Sequence, residues 1–240
     1  MKKYPILILH GWNLNASKYK FLEKELVKHG YKTLCFDLPG FGKSKALSYP
    51  FTLPMYAKYI IDRLKREKIN KVIIIGHSFG GRIGVYLSVN YPEMIEALIL
   101  SGTPALGKDL TFKETVYFFL AKVGKMFFNL PFLSTLRDFA RKVLYKVVGS
   151  YDYYKTRGVI RITFQNIVAY RLESFLPKIR VHTLIIWGEE DKIVPVKIAY
   201  GMKKLIKNSK LVIVPQARHG IPWTHTETFV NEVDRFLNNL

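Results

Sequence analysis

Three residues far apart in the chain have the types of a nucleophile, a base and the carboxylate that orients the base. Ser78 stands in Gly76-His77-Ser78-Phe79-Gly80, which fits G-x-S-x-G. Asp191 follows the apolar run of "LIIWGEEDKIVP", and His219 follows that of "VIVPQARHG". A serine hydroxyl attacks poorly until a base accepts its proton, and the imidazole needs a carboxylate to fix its tautomer. Together the three types suit acyl transfer. The five-residue pattern alone would serve a strand turning tightly into a helix just as well.

A tetrahedral intermediate also needs N–H donors for its oxyanion. The main-chain N–H of Phe79, directly after the serine, is one candidate. The N–H of Trp12 in "LILHGWNLNAS" is the other, because Gly11 allows close backbone approach. Trp12 and His10 are also expected to line a substrate pocket. His77 reads as a hydrogen-bonding residue of the turn, Glu189 and Glu190 as solvated loop acids, and His225 as the control for His219. The stretch "DLPGFGKS" ends like a phosphate loop, but that pattern requires glycine where Asp37 stands.

These groups can meet only if the chain brings them to one edge of one sheet. Six short runs rich in Ile, Val and Leu lack period-two alternation, as strands covered on both faces do. They are Tyr4–Leu9, Thr33–Phe36, Val72–Ile75, Ala97–Leu100, Thr183–Trp187 and Leu211–Val214. Helical patterns cover Tyr19–Lys28, Met55–Lys68, Gly81–Asn90 and Thr226–Leu240. Alternating strands and helices predict an α/β fold with a parallel sheet. Ser78, Asp191 and His219 then lie just beyond the carboxyl ends of three strands.

The alternation breaks between residues 105 and 178. The segment is dense in aromatics and reads as helices only, which predicts a helical cap or lid (105–178) inserted in a core formed by residues 1–104 and 179–240. Phe118, Phe119, Phe127, Phe128, Phe132 and Phe139 are the expected apolar lid over the serine. In "LRDFARKVLYKVV" the apolar positions share one helix face and Arg137, Arg141, Lys142 and Lys146 share the other.

With 240 residues, 49% of them hydrophobic, the chain can bury a large core. No apolar run approaches the roughly 18 residues of a transmembrane helix. The opening "MKKYPILILHGW" imitates a signal peptide but is too short in its apolar part, so a cytoplasmic protein is expected. The single Cys35 excludes an internal disulfide and a cysteine-based zinc site. Lys and Arg number 38 against 18 Asp and Glu, a net charge of +20, which attracts acidic proteins and anionic surfaces. No nucleic-acid-binding motif accompanies that charge. No metal or cofactor is required by the chemistry of the three residues.

The motifs HGW, DLPGFGKS, GHSFGG, GEEDKIVP and ARHG together resemble the α/β-hydrolase superfamily over residues 4–104 and 179–240. The resemblance implies Ser78 as nucleophile, Asp191 as acid and His219 as base, with Trp12 and Phe79 as oxyanion donors. The HGW-N-L-N stretch is similar to that of small carboxylesterases, including carrier-protein methyl esterases. By family counting the chain starts at the third strand, so the usual antiparallel first pair is expected to be absent and the order to be 4-3-5-6-7-8. Serine rather than aspartate at the turn favours esters over halides or epoxides. The expectation is a serine carboxylesterase acting on a small ester with an apolar acyl or alcohol part. A carbon–carbon bond hydrolase, a methyl esterase meeting an acidic partner such as an acyl carrier protein, and a non-hydrolysing receptor remain open. So does peripheral membrane contact through the basic helix.

Overall fold

The computed structural model describes residues 4–107 and 158–240. One six-stranded sheet contains β1 (Ile6–Leu9), β2 (Thr33–Cys35), β3 (Val72–His77), β4 (Ile95–Ser101), β5 (His182–Gly188) and β6 (Ser209–Val214). Every pairing is parallel, and the spatial order is β2-β1-β3-β4-β5-β6. Counted from the third family strand, this is the expected 4-3-5-6-7-8. The strands run longer than the apolar runs at several ends. β3 continues through Gly76 and His77, so it delivers the chain directly to Ser78.

Helices α1 (Lys20–Lys28), α2 (Leu53–Arg66) and α3 (Phe79–Asn90) provide the first crossovers. Beyond residue 157 come α4 (Gly158–Ala169), α5 (Lys197–Leu205), α6 (Ile221–Thr224) and α7 (Thr226–Leu237). Successive strand side chains point to opposite faces, and the core divides accordingly. Leu7, Leu9, Ile74, Leu98 and Leu100 pack with α2, α3 and α5 on one face. Ile6, Ile8, Ile73, Ile75 and Ile99 pack on the other with residues of α1 and α7, such as Leu22, Phe229 and Val233. Each such side chain contributes about 1.5–3 kcal/mol when fully buried, so both layers hold the sheet in place.

Helix α5 lies in a stretch that the sequence pattern left unassigned. Gly201 weakens its helical signal, yet the glycine serves packing, since a Cβ there would lie 2.5 Å from Leu106 Cδ1. The expected lid phenylalanines at 118, 119, 127, 128, 132 and 139, and the basic helix of residues 136–148, lie outside the described residues. Of residues 105–178, the expected cap, the described part holds α4 and a 3-10 turn at Leu176–Lys178. Among the described residues, no helix is long and apolar enough to cross a membrane.

Candidate active site

Strand β3 ends at His77 and α3 begins at Phe79, which leaves Ser78 to make the whole turn. Its backbone takes φ 52° and ψ −112°, a left-handed conformation that costs about 1–3 kcal/mol for a residue with a side chain. Hydrogen bonds hold it there. The Ser78 N–H donates to the Ser101 carbonyl (2.8 Å), and the Ser78 carbonyl accepts from the N–H groups of Gly81 (3.0 Å) and Arg82 (3.3 Å). The flanking glycines remove the side chains that would block the turn. A Cβ on Gly80 would lie 2.0 Å from the Leu9 carbonyl oxygen, so the head of α3 sits directly on the end of β1. Phe79 and Gly80 are buried, while Ser78 keeps part of its surface exposed.

Asp191 lies three residues beyond β5 and is buried. One carboxylate oxygen accepts the N–H groups of Ile193 and Val194, both at 2.9 Å. The other lies 2.7 Å from His219 Nδ1. The two loops are laced together, with the N–H groups of Glu189 and Glu190 donating to the carbonyls of Val214 (3.0 Å) and Ala217 (2.9 Å). The imidazole of His219 rests on Gly102, the residue after β4, where a Cβ would lie 2.7 Å from its Cε1. Ser78 is tied to Ser101 and His219 lies against Gly102, so the end of β4 seats both groups. The structure thus places Ser78, Asp191 and His219 at one carboxyl edge of the sheet.

The loop after β1 carries Trp12. Its ring meets Phe41 (4.8 Å between centroids), Phe79 (5.3 Å) and Phe164 of α4 (4.9 Å), all edge-to-face. Among the described residues, no hydrogen bond engages the main-chain N–H of Trp12 or Phe79. At a helix head this is intrinsic, because the first N–H groups of α3 have no partner within the helix.

His10 corrects the expectation that it lines the pocket. It is fully buried, and burial lowers its pKa below the usual histidine value. Its Nε2 accepts the Leu38 N–H (2.9 Å), which leaves the ring proton on Nδ1, donated to the Gly11 carbonyl (2.8 Å). Both ring nitrogens are spent on the main chain, so His10 shapes the loop instead of facing a ligand. Glu189 and Glu190 are exposed, as expected, and His225 bonds its neighbour Thr224 at 2.9 Å.

Two further residues of the site, Tyr19 and Arg82, carry no sequence signal of their own. Tyr19 accepts the Gly11 N–H (3.1 Å) and lies 2.8 Å from His77 Nδ1, while His77 Nε2 lies 3.1 Å from the His219 carbonyl. Asp37, within the phosphate-loop look-alike, accepts the N–H groups of Ala16 (2.7 Å) and Lys43 (2.6 Å) and so folds that loop inward. Arg82, buried on α3, donates to the carbonyls of Pro104, Ile167 (2.9 Å) and Tyr170. It thereby joins the helix behind the serine to the chain after β4 and to the end of α4.

Residues 4–226 match the family described as the alpha/beta hydrolase fold. A 2-hydroxy-6-oxo-6-(2'-aminophenyl)hexa-2,4-dienoic acid hydrolase of Metapseudomonas resinovorans is 26% identical over 251 aligned positions, covering 99% of this chain and 85% of the relative. The pimeloyl-[acyl-carrier protein] methyl ester esterase of Wigglesworthia glossinidia brevipalpis is 27% identical over 255 positions, covering 97% and 93%. Among solved structures, an esterase from Exiguobacterium antarcticum superposes with a TM-score of 0.73 at 23% identity, covering 99% of this chain and 92% of that one. With its six parallel strands and a serine on the turn between the third of them and its helix, the chain belongs to the α/β-hydrolase fold family.

Proposed function

We propose that the protein is a serine hydrolase that cleaves carboxylic esters through an acyl-enzyme. The observation that carries this reading is the Asp191–His219 hydrogen bond beside a serine held in a strained turn at the same sheet edge. Asp191 keeps the proton of neutral His219 on Nδ1, which leaves Nε2 free as the base. Ser78 Oγ attacks the ester carbonyl, passes its proton to His219, and the C–O double bond becomes an oxyanion. The N–H groups of Trp12 and Phe79 receive that charge, helped by the positive end of α3. Collapse expels the alcohol, which takes the proton from His219. Water then repeats the sequence on the acyl-enzyme and releases the acid.

Residues 105–178 act in this reading as a cap, supported by the packing of Phe164 on Trp12 and by the hold of Arg82 on both ends of the segment. An apolar acyl or alcohol part fits the aromatic wall of Trp12, Phe41, Phe79 and Phe164. A carbon–carbon bond hydrolase is the second reading, favoured by the name of the Metapseudomonas relative. The excess positive charge and the name of the Wigglesworthia relative support an acyl carrier protein as the acidic partner. A cytoplasmic setting accords with that partner.

A panel of chromogenic esters of graded acyl length, alongside a 2-hydroxy-6-oxohexa-2,4-dienoate, separates the two chemistries. Ester turnover lost by a factor of about 10⁴ or more in Ser78→Ala supports the proposal. Turnover of the dienoate alone sinks it in favour of the second reading. For the carrier, activity on carrier-bound ester should fall steeply with salt while free-ester activity barely changes. An equal salt response removes the carrier from the account.

A further inference from the structure

Beneath the catalytic loop lies a buried chain of hydrogen bonds whose direction is forced. The Gly11 N–H can only donate, so Tyr19 Oη accepts it at 3.1 Å. The single hydroxyl proton of Tyr19 is then free for His77 Nδ1, 2.8 Å away. With Nδ1 accepting, the ring proton of His77 sits on Nε2 and donates to the His219 carbonyl at 3.1 Å. Every group in the chain is satisfied, and His77 is neutral.

The connected segments are the two that the proposed reaction must keep in register. Gly11 precedes Trp12, one of the oxyanion donors, and the His219 carbonyl belongs to the base itself. The Gly11 carbonyl is also occupied, by the Leu14 N–H at 3.2 Å and by His10 at 2.8 Å. The Trp12 peptide is therefore anchored on its upstream side. Tyr19 and His77 are almost entirely shielded from water, and a Cβ on Gly11 would lie 2.9 Å from His77 Nδ1. The His77 and His219 rings lie 4.8 Å apart, with Trp223 and Tyr19 around His77. Burial, followed by the charge of the His219 ring, lowers the His77 pKa to about 3. A protonated His77 would repel the imidazolium that forms on His219 during attack.

We infer that Tyr19 and His77 are positioning residues, a neutral relay that locks the oxyanion loop to the base loop and keeps charge away from the underside of His219. This deepens the serine-hydrolase reading and rests on it. No proton is transferred along the relay; it acts through position and through the absence of charge. Misplacement of reacting groups by an ångström can cost about a hundredfold in rate, which sets the scale of the effect.

The relay has a signature independent of turnover. Nitrogen NMR of the wild-type chain, with His77 assigned by comparison with His77→Gln, should find a neutral ring protonated at Nε2 from about pH 5 to 9, where an ordinary histidine titrates near 6.5. A fluorophosphonate, which reacts with an activated serine whatever the natural ester, supplies the kinetic readout. Tyr19→Phe should slow labelling of Ser78 by about tenfold or more. His77→Leu should slow it further, and His77→Gln, whose amide both accepts and donates, should recover much of the rate. Thermal midpoints of the same variants identify any loss of fold, and rates are compared only where the variant is folded. A His77 that titrates in this range, or carries its proton on Nδ1, overturns the relay. So does a folded Tyr19→Phe protein labelled at the wild-type rate. If wild type itself resists the reagent while His77 keeps the Nε2 proton, the serine-hydrolase reading falls and the hydrogen bonds are packing alone.

Discussion

Asp191 holds His219 with one carboxylate oxygen, 2.7 Å from Nδ1, and is itself held through the other by the N–H groups of Ile193 and Val194. The acid therefore cannot swing away from the base without giving up two main-chain bonds. Asp191→Asn tests what the charge contributes. Its amide oxygen can keep the bonds to Ile193 and Val194, but its NH₂ would face Nδ1 and drive the ring proton to Nε2. The thermal midpoint should change little while kcat on a cleaved ester falls by roughly 10⁴-fold. A variant with near-wild-type kcat would remove Asp191 from the mechanism.

Acid should weaken the fold in a window set by two buried histidines. Burial lowers the pKa of His10, and burial followed by the His219 charge brings that of His77 to about 3. In the unfolded chain both take up a proton near pH 6.5, whereas in the folded chain burial holds off protonation to lower pH. Stability is thus present in full above pH 6.5 and declines as pH falls toward the folded values. Each such group contributes a slope of up to about 1.4 kcal/mol per pH unit. Denaturation by urea at pH 7, 6, 5 and 4 measures it, and His77→Gln should flatten the dependence. Identical slopes in the two proteins would show that His77 is charged when folded.

Gly80→Ala should be far more harmful than Gly30→Ala. At Gly80 the added carbon meets the Leu9 carbonyl at 2.0 Å, whereas at Gly30 it meets nothing within 4 Å and carries only the cost of φ +83°. Rigid backbone at Leu9 cannot yield as a flexible side chain would, so the end of β1 or the head of α3 must move. A loss of about 1–3 kcal/mol or more is expected at Gly80, with loss of ester turnover. Equal thermal midpoints for the two variants would mean that the elbow is looser than its geometry requires.

Arg82→Met should loosen the end of α4 and the chain at Pro104 from α3. The guanidinium serves carbonyls near the C-terminal end of α4, which lack partners within the helix, and the Pro104 carbonyl at the opposite end of the segment. Burial lowers the Arg82 pKa to about 10, opposed by Glu173, so the side chain stays charged at neutral pH. Each buried carbonyl left unpaired costs about 1–3 kcal/mol. Limited proteolysis should then cut between residues 105 and 178 faster than in wild type. An unchanged cleavage rate would mean that Arg82 does not govern the segment.

Much of this architecture is legible in the sequence. The six strands declare themselves through runs of Ile, Val and Leu, and parallel pairing follows from the helices between them. The elbow is legible because its requirements are local: glycines where side chains would collide, and one serine on the turn. Tyr19 and His77 are different, since their bond spans 58 residues and exists only after α1 has packed against the sheet. Arg82 looks like an ordinary helix cation until the end of α4 folds over it. His10 is hard to read from sequence for a related reason, because a polar residue beside a reactive loop is as readily used to fold that loop as to face a ligand. Helix α5 was hidden by Gly201, whose missing side chain admits Leu106.

The central claim is that Ser78 forms a covalent acyl-enzyme. Wild type and Ser78→Ala are mixed with an excess of a cleaved chromogenic ester, quenched in acid within the first turnover, and mapped by peptide mass spectrometry. The account requires the acyl group on the peptide that contains Ser78 in wild type, and neither adduct nor turnover in Ser78→Ala. Turnover at the wild-type rate by Ser78→Ala, or an acyl group carried on another residue, would contradict it.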